Sequence, residues 1–296
     1  MPQRKISIIV LHRRHYGMTA ACLQSLRRCS YPNVEIIVVD PGTTDGSADR
    51  LMLNFPEVIM VTAPKDCGSA AGYNTGMREA AGEYFLLLDN HSIVHPGFLE
   101  PLTDALDDDP AAAAASPLIR YYSAPSYIHY AGGPDRIGLI RGVKQWRGWN
   151  TMLPHRYSAV EPTTALHGAA IMVRRDACQL AGPLDERFTA DYMDLEWSMR
   201  MRQAGLRILF VPHSMILLKE SSVPAADRSK DARNRLRSRL WLCRKHLPLH
   251  RYLLALLYVW IIDIPHAVLV LIARSNIQAV PALVGGSLEG TFTRGS

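Results

Sequence analysis

The stretch from Glu83 to His95, EYFLLLDNHSIVH, constrains the fold most, because an apolar run breaks there abruptly into an acid, an amide and a histidine. Tyr84-Phe85-Leu86-Leu87-Leu88 is apolar on every side, which predicts a strand buried on both faces of a parallel sheet. The polar cluster Asp89-Asn90-His91 then falls at the carboxyl end of that strand, where open α/β sheets bind their ligands.

The preceding chain supplies the rest of such a sheet. Ile6 to Leu11 (ISIIVL) and Val34 to Asp40 (VEIIVVD) read as buried strands. Between them Met18 to Cys29 places Leu23 and Leu26 on one helical stripe, giving a βαβ unit. The turn Pro41 to Ser47 (PGTTDGS) offers Thr44 or Asp45 as the cap of a helix reaching about Asn54, and Val58 to Thr62 is a third strand. Along the next helix, in DCGSAAGYNTG, glycines 68, 72 and 76 recur every fourth residue. Such a stripe lets a backbone approach either a nucleotide or the sheet, and periodicity favours packing on the sheet. It is not GxGxxG, and no such motif follows the first strand, which disfavours a dinucleotide-dependent oxidoreductase.

Beyond the opening stretch, Pro96 to Leu106 reads as a helix that ends in Asp107-Asp108-Asp109, a solvated terminus rather than a metal cluster. Ala111 to about Pro162 has poor periodicity and reads as long loops facing an acceptor. Ala169 to Val173 is a short strand, with a brief helix to Ala181. Asp191 and Asp194 precede a helix ending at Gly205; such acids cap free amides, or serve as a base aimed into a cleft. Arg207 to Pro212 and Ser214 to Leu218 read as two closing strands.

The last part changes character. Asp227 to Arg251 holds nine Lys or Arg and two Asp, so of the overall charge of +6 this segment carries +7 and the remainder −1. Two apolar runs follow, Tyr252 to Ile262 and Ala267 to Ala273, separated by Asp263-Ile264-Pro265-His266. Each is short for a bilayer of about 30 Å, so a monotopic anchor is expected, its basic helix facing anionic head groups; packing on the core or on a second subunit is the alternative. The five cysteines form no CxxC pair, and the N-terminal apolar run is too short for a signal-peptide core. The expected location is the cytoplasm, peripheral on the inner face of the cell membrane. A nucleic-acid partner is not expected.

Five segments together resemble a known family: ISIIVL, YPNVEIIVVDPGTTDGSADRL, DCGSAAGYNTGMREAAGEYFLLLDNHSIVHPGFLEPL, HGAAIMVRRDACQLAGPLDERF and DLEWSMRMRQAGLRILFVP. In order and spacing, over most of Ile6 to Pro212, they resemble the family 2 inverting glycosyltransferases of the GT-A fold, in particular the rhamnosyltransferase-like branch. The resemblance implies a GT-A domain over residues 1–221, Rossmann-like with a mostly parallel sheet, and a helical appendage over 222–296. It implies donor nucleotide contacts from Leu11, Asp40, Asp66, Gly68, Asn74, Asp89 and Asn90, with acceptor-side contacts from His167 and Gly168. A divalent cation, Mn²⁺ or Mg²⁺, would bridge the diphosphate from Asp89 and His91.

Three positions depart from the family pattern. His91 replaces the second acid of the Asp-x-Asp, and imidazole suits Mn²⁺ better than Mg²⁺. Met215 to Ser222 offers Lys219 where the family often has histidine, and a lysine can itself neutralise diphosphate. Tyr192 stands at the usual base, leaving Asp191, the favoured choice, or Asp194 for that role. The implied reaction is transfer from a nucleoside-diphosphate sugar, dTDP-rhamnose or a UDP-sugar, to a hydroxyl of a glycan, a lipid-linked saccharide or a small natural product. A non-catalytic nucleotide-sugar-binding protein or synthase partner is the rival reading. A nucleotidyltransferase is a second, weakened by the absence of glycine from LHRRHY after the first strand.

Overall fold

The computed structural model describes residues 3–13, 16–140, 146–152, 157–189, 191–219, 228–273 and 280–292. The chain divides into two compact units. One comprises Met1–Asp135, Gln145–Glu186 and Met193–Ser221; the other comprises Arg136–Lys144, Arg187–Tyr192 and Ser222–Ser296.

The first unit is built on one mixed sheet. β1 (Ile6–Leu11) pairs in parallel with β2 (Val34–Asp40) on one side and with β4 (Tyr84–Asp89) on the other, and β2 pairs in parallel with β3 (Ile59–Thr62). Beyond β4 the direction changes. β9 (Ala170–Arg174) runs antiparallel to both β4 and β6 (Ala112–Tyr121), and β10 (Arg207–Leu218) lies parallel to β6. The three-residue β5 (Ser92–Val94) closes the edge antiparallel to β10. Two short strands, β7 (Ile128–Tyr130) and β8 (Glu161–Pro162), pair off the main path with β6 and β10. The sheet is therefore mixed where a mostly parallel one was expected.

Alternation along β1 explains why both faces are covered. Ile6, Ile8 and Val10 join one core with Cys22, Leu23 and Leu26 of helix α1 (Tyr16–Leu26). Tyr84, Leu86 and Leu88 of β4 join the same core with Leu99, Leu102 and Leu106 of α4 (Leu99–Asp108). Each such side chain contributes about 1.5–3 kcal/mol on burial. On the other face, α3 (Ser69–Glu79) lies against Ile9 and Leu11 through its glycines. A Cβ at Gly76 would collide with Ile9 Cγ2 and reach Val39 Cγ2 at 3.0 Å, and one at Gly72 would meet Leu11 Cδ1 at 2.5 Å. Gly72 and Gly76 thus serve close helix-to-sheet packing.

Three local expectations are corrected. Residues 112–121 form a buried ten-residue strand rather than loop, because Ala112 to Ala115 are small enough to fit between β9 and β10; tertiary context overrides their weak strand preference. The two closing strands are one strand, β10, with a register shift between Val211 and Met215 where Pro212 can donate no ladder bond. Helix α2 (Ser47–Asn54) has Gly46 at its N-cap, with φ 75°, and Asp45 serves from one residue earlier by accepting the Ser47 N–H at 3.0 Å.

In the second unit, α7 (Arg228–His246), α8 (Leu249–Tyr258), α9 (Ile264–Ala273) and α10 (Val280–Phe292) pack around Leu240, Val259, Ile264 and Leu283. The two apolar runs, expected to be separate, are continuous: a π-helical turn over Val259–Asp263 joins α8 to α9. Widening the helix there accommodates Pro265, which lacks the N–H for a regular bond. Asp263 on this turn is ion-paired with Arg239. Gly286 and Gly290 let α10 approach α7; a Cβ at Gly290 would lie 2.9 Å from Leu240 Cβ.

Candidate active site

Parallel pairing brings the ends of β1, β2 and β4 to one edge. Leu11 is level with both Asp89 and Val39, so Asp40 sits one residue beyond it. Asp40 is buried, and its carboxylate accepts the Thr43 N–H at 3.2 Å and the Thr43 hydroxyl at 2.8 Å, folding the loop after β2 back on itself. Facing that loop, Asp66 is exposed, adopts a left-handed φ of 55° and donates its N–H to the Pro41 carbonyl at 3.2 Å. Gly68 precedes α3, and the hydroxyl of Ser69 at that helix start accepts a hydrogen bond from the exposed Arg13.

Asp89 is partly exposed, and its Oδ1 accepts the His91 N–H at 2.9 Å, closing a tight turn. Between them Asn90 is buried and donates from Nδ2 to Thr19 Oγ1 at 2.9 Å. The His91 carbonyl accepts the Lys219 N–H at 2.9 Å, while the Lys219 ammonium lies 4.9 Å over the Tyr122 ring. Asp89 and His91 thus bring an oxygen-donor and a nitrogen-donor residue type to a single turn. Among the described residues no three His, Cys, Asp or Glu side chains converge on a metal position. By donor type the two residues suit a cation that accepts both oxygen and nitrogen, as Mn²⁺ does.

Asn74 is placed differently. Its amide donates to the Leu184 carbonyl and Glu186 Oε1, both at 2.9 Å, and accepts the Leu184 N–H at 3.0 Å, so it ties α3 to the chain after helix α5 (Arg175–Ala181).

Next to Gly168, Asp194 lies in the first turn of α6 (Met193–Gln203). Its Oδ2 accepts the Gly168 N–H at 2.7 Å and its Oδ1 the Leu195 N–H at 2.8 Å. A Cβ at 168 would stand 3.2 Å from that Oδ2, a close approach that a side chain there would crowd. His167 packs edge-on against His129, with centroids 4.9 Å apart, and against Trp146 at 5.1 Å; its Nδ1 accepts the Ala169 N–H at 3.1 Å. Burial of the ring, and next the nearby His129, push its pKa well below the usual histidine value, so it is neutral with the proton on Nε2. The residue keeps partial exposure, but the enclosing rings make desolvation the dominant effect.

Asp191 and Tyr192 belong to the second unit. Asp191 Oδ1 pairs with Arg235 at 3.4 Å. Tyr192 has a left-handed φ of 68°, and burial raises its hydroxyl pKa above the ordinary value, which makes it a still poorer base.

Sequence reasoning did not single out His12, Thr19 or Ser47, which lie fully or nearly buried behind this edge and bond to one another. The available signal was a histidine immediately after a buried strand.

Comparison with known proteins matches this architecture. The family model described as "Glycosyl transferase family 2" matches residues 7–179, more than half of the chain. N-acetylglucosaminyl-diphospho-decaprenol L-rhamnosyltransferase of Mycobacterium tuberculosis (strain ATCC 25618 / H37Rv) is 27% identical over 222 residues, covering 66% of this chain and 69% of the relative. The dTDP-rhamnosyl transferase RfbF of Shigella flexneri is 22% identical over 187 residues, covering 61% of this chain and 58% of its own. Among solved structures, GalNAc-T7 with UDP, GalNAc and Mn²⁺ superposes with a TM-score of 0.63 at 16% identity, over 82% of this chain and 48% of that one. The mannosyltransferase PcManGT from Pyrobaculum calidifontis, in complex with GDP-Man and Mn²⁺, gives 0.58 at 16% identity, over 98% and 88%. The chain belongs to glycosyl transferase family 2 and is a glycosyltransferase of the GT-A fold.

Proposed function

We propose that the enzyme transfers a sugar, with inversion, from a nucleoside-diphosphate sugar to a hydroxyl of a lipid-linked saccharide. The observation that carries this reading is the shared edge of β1, β2 and β4. There Asp40 and Asp66 flank a loop suited to a nucleoside, and Asp89 and His91 stand two strands away, on the far side of β1, where a diphosphate would follow. Leu11 and Gly68 line the same edge. The names of the two relatives favour rhamnose from a dTDP donor. A divalent cation held by Asp89 and His91 would neutralise charge on the departing diphosphate, and Lys219, bonded to His91 through its backbone, adds a second cationic group.

For the base the favoured choice moves from Asp191 to Asp194. Asp194 is held next to Gly168 and His167 by backbone N–H groups at the start of a rigid helix, which aims its carboxylate at the expected acceptor side. Asp191 is engaged by Arg235. In the reaction Asp194 takes the proton of the acceptor hydroxyl, the new oxygen–carbon bond forms at the anomeric centre, and the carbon–oxygen bond to diphosphate breaks in line. Turnover assays of two variants test this. Asp194→Asn should fall by about 10²–10⁴-fold, the usual worth of a general base, with Asp191→Asn retaining turnover of the wild-type order. The opposite pattern would return the role to Asp191.

We also propose that the second unit seats the enzyme peripherally on the cytoplasmic face of the cell membrane. The run Leu249–Leu269 is long and apolar enough to cross a bilayer by length and composition. Only one side of it is covered, however. Leu253, Leu254, Leu257, Ile261, Ile262 and Leu269 are exposed, while Val259 and Ile264 face α7 and α10. Arg244, Lys245, His250 and Arg251 cluster at the exposed turn between α7 and α8, beside the start of that apolar face. One apolar side, one protein-covered side and a basic flank suit a helix lying in an anionic interface.

A further inference from the structure

We propose that His12 is a positioning residue that locks the Asp89–His91 turn to the Pro41–Ser47 loop through a one-way chain of hydrogen bonds. The inference rests on the donor site proposed above.

His12 follows β1 directly and has no solvent exposure. Its Nδ1 lies 2.8 Å from Thr19 Oγ1 on α1 and its Nε2 2.7 Å from Ser47 Oγ at the start of α2. The ends of the chain set the direction of its protons. The Ser47 hydroxyl donates to Asp45 Oδ1, an acceptor only, so Ser47 Oγ receives its remaining bond from His12 Nε2–H. At the other end Asn90 Nδ2 can only donate, and it does so to Thr19 Oγ1. In a neutral imidazole with its hydrogen on Nε2, Nδ1 is the acceptor for the Thr19 hydroxyl, and every proton then points from Asn90 toward Asp45. Two hydrogen bonds from Ser47 hold the Asp45 carboxyl below the ordinary range, in keeping with its role as the terminal acceptor.

Four elements contribute side chains: the end of β1, α1, the start of α2 and the end of β4. A buried polar group left unpaired is costly, so each link is satisfied only while the two loops keep their register. One loop begins at Asp40, on the nucleoside side of the edge. The other carries Asp89 and His91, on the diphosphate side. Burial alternates through that turn: Asn90 is 3% exposed, while its two neighbours are partly exposed. Asn90 is thus the anchor of the triplet and not its ligand contact. The two halves of the donor site are fixed to each other behind the edge, so affinity for an intact nucleoside diphosphate depends on a histidine that touches none of it.

The test uses full-length wild type with His12→Leu, His12→Gln and Thr19→Val. Glutamine places an acceptor and a donor about as far apart as the two ring nitrogens, so it can restore the chain, and valine removes only the Thr19 hydroxyl. Hydrogen exchange reads the lock itself. In His12→Leu and Thr19→Val the amides of Ser47 and His91 should lose protection together, with the β1–β2–β4 ladder still protected, and His12→Gln should restore both. Unchanged protection at either loop overturns the lock. Calorimetric titration with UDP, dTDP and GDP, each with Mn²⁺ and below the melting temperature of every variant, reads the consequence. The nucleotide that binds wild type should bind His12→Leu and Thr19→Val at least tenfold more weakly, and His12→Gln within threefold. Wild-type affinity in His12→Leu overturns the positioning role. Coupled exchange with no nucleotide bound to wild type supports the lock and places the failure in the donor-site reading.

Discussion

His167 shows how one buried ring ties the site to pH. Its pKa lies below the ordinary 6.5 because the ring is desolvated and faces His129. On acidification through about pH 6.5 the unfolded chain takes up a proton that the folded chain resists, so stability is complete above that pH and declines below it. The melting midpoint should therefore drop between about pH 7.5 and about pH 5.5, and should drop less in His167→Gln. Equal slopes in the two proteins would show that other groups govern the acid limb. At the same scale Asp89 commits one carboxylate oxygen to the His91 amide, and in the proposed site it is Oδ2 that would meet the ligand.

At the level of elements, helix α3 owes its depth to glycine. Gly76→Ala drives a methyl group into Ile9 and against Val39 across the sheet and should cost about 1–3 kcal/mol in chemical denaturation, the usual range for overpacking. Gly17→Ala is the control. That glycine is exposed on α1 with nothing within 4 Å, and alanine there should stabilise by about 0.4–1 kcal/mol. A Gly76→Ala protein as stable as wild type would mean that α3 can shift outward. The parallel half of the sheet was legible because β1, β2 and β4 are apolar on both faces, a pattern few other structures need. The half beyond β4 was not. β6 is carried by alanines whose strand identity comes from their neighbours, and β10 is interrupted at Pro212 by a bulge that periodicity reads as a break. In the proposed site, Asp40 and Asp89 are legible in sequence because each ends an apolar run. The engagement of Asn74 by Leu184 and Glu186, more than a hundred residues away in sequence, is not, nor is that of Asp194 by Gly168. Such partners depend on pairings that no local pattern encodes.

Considered as a whole, the molecule keeps its two kinds of surface in different units. Its carboxylates and glycines line a sheet edge in the first unit. Its uncovered apolar helix face and basic turn belong to the second. If that face meets lipid, the full-length protein should float with vesicles containing phosphatidylglycerol and remain unbound with neutral phosphatidylcholine. Replacing Arg244, Lys245 and Arg251 together with glutamine should abolish flotation, at about 1 kcal/mol per basic residue. Equal binding to both vesicles would assign the surface to apolar contact alone, and binding to neither would favour pairing with a second copy.

The most direct measurement is release of nucleoside diphosphate from dTDP-rhamnose and from a panel of UDP-sugars, with Mn²⁺ and a polyprenyl-diphosphate saccharide as acceptor, in wild type and in Asp89→Ala. Acceptor-dependent release by wild type, lowered by about 10²–10³-fold in Asp89→Ala, is the predicted result. Near-normal release by Asp89→Ala would contradict the assignment of this sheet edge as the donor site, and no release by wild type from any of these donors would contradict the proposed transfer itself.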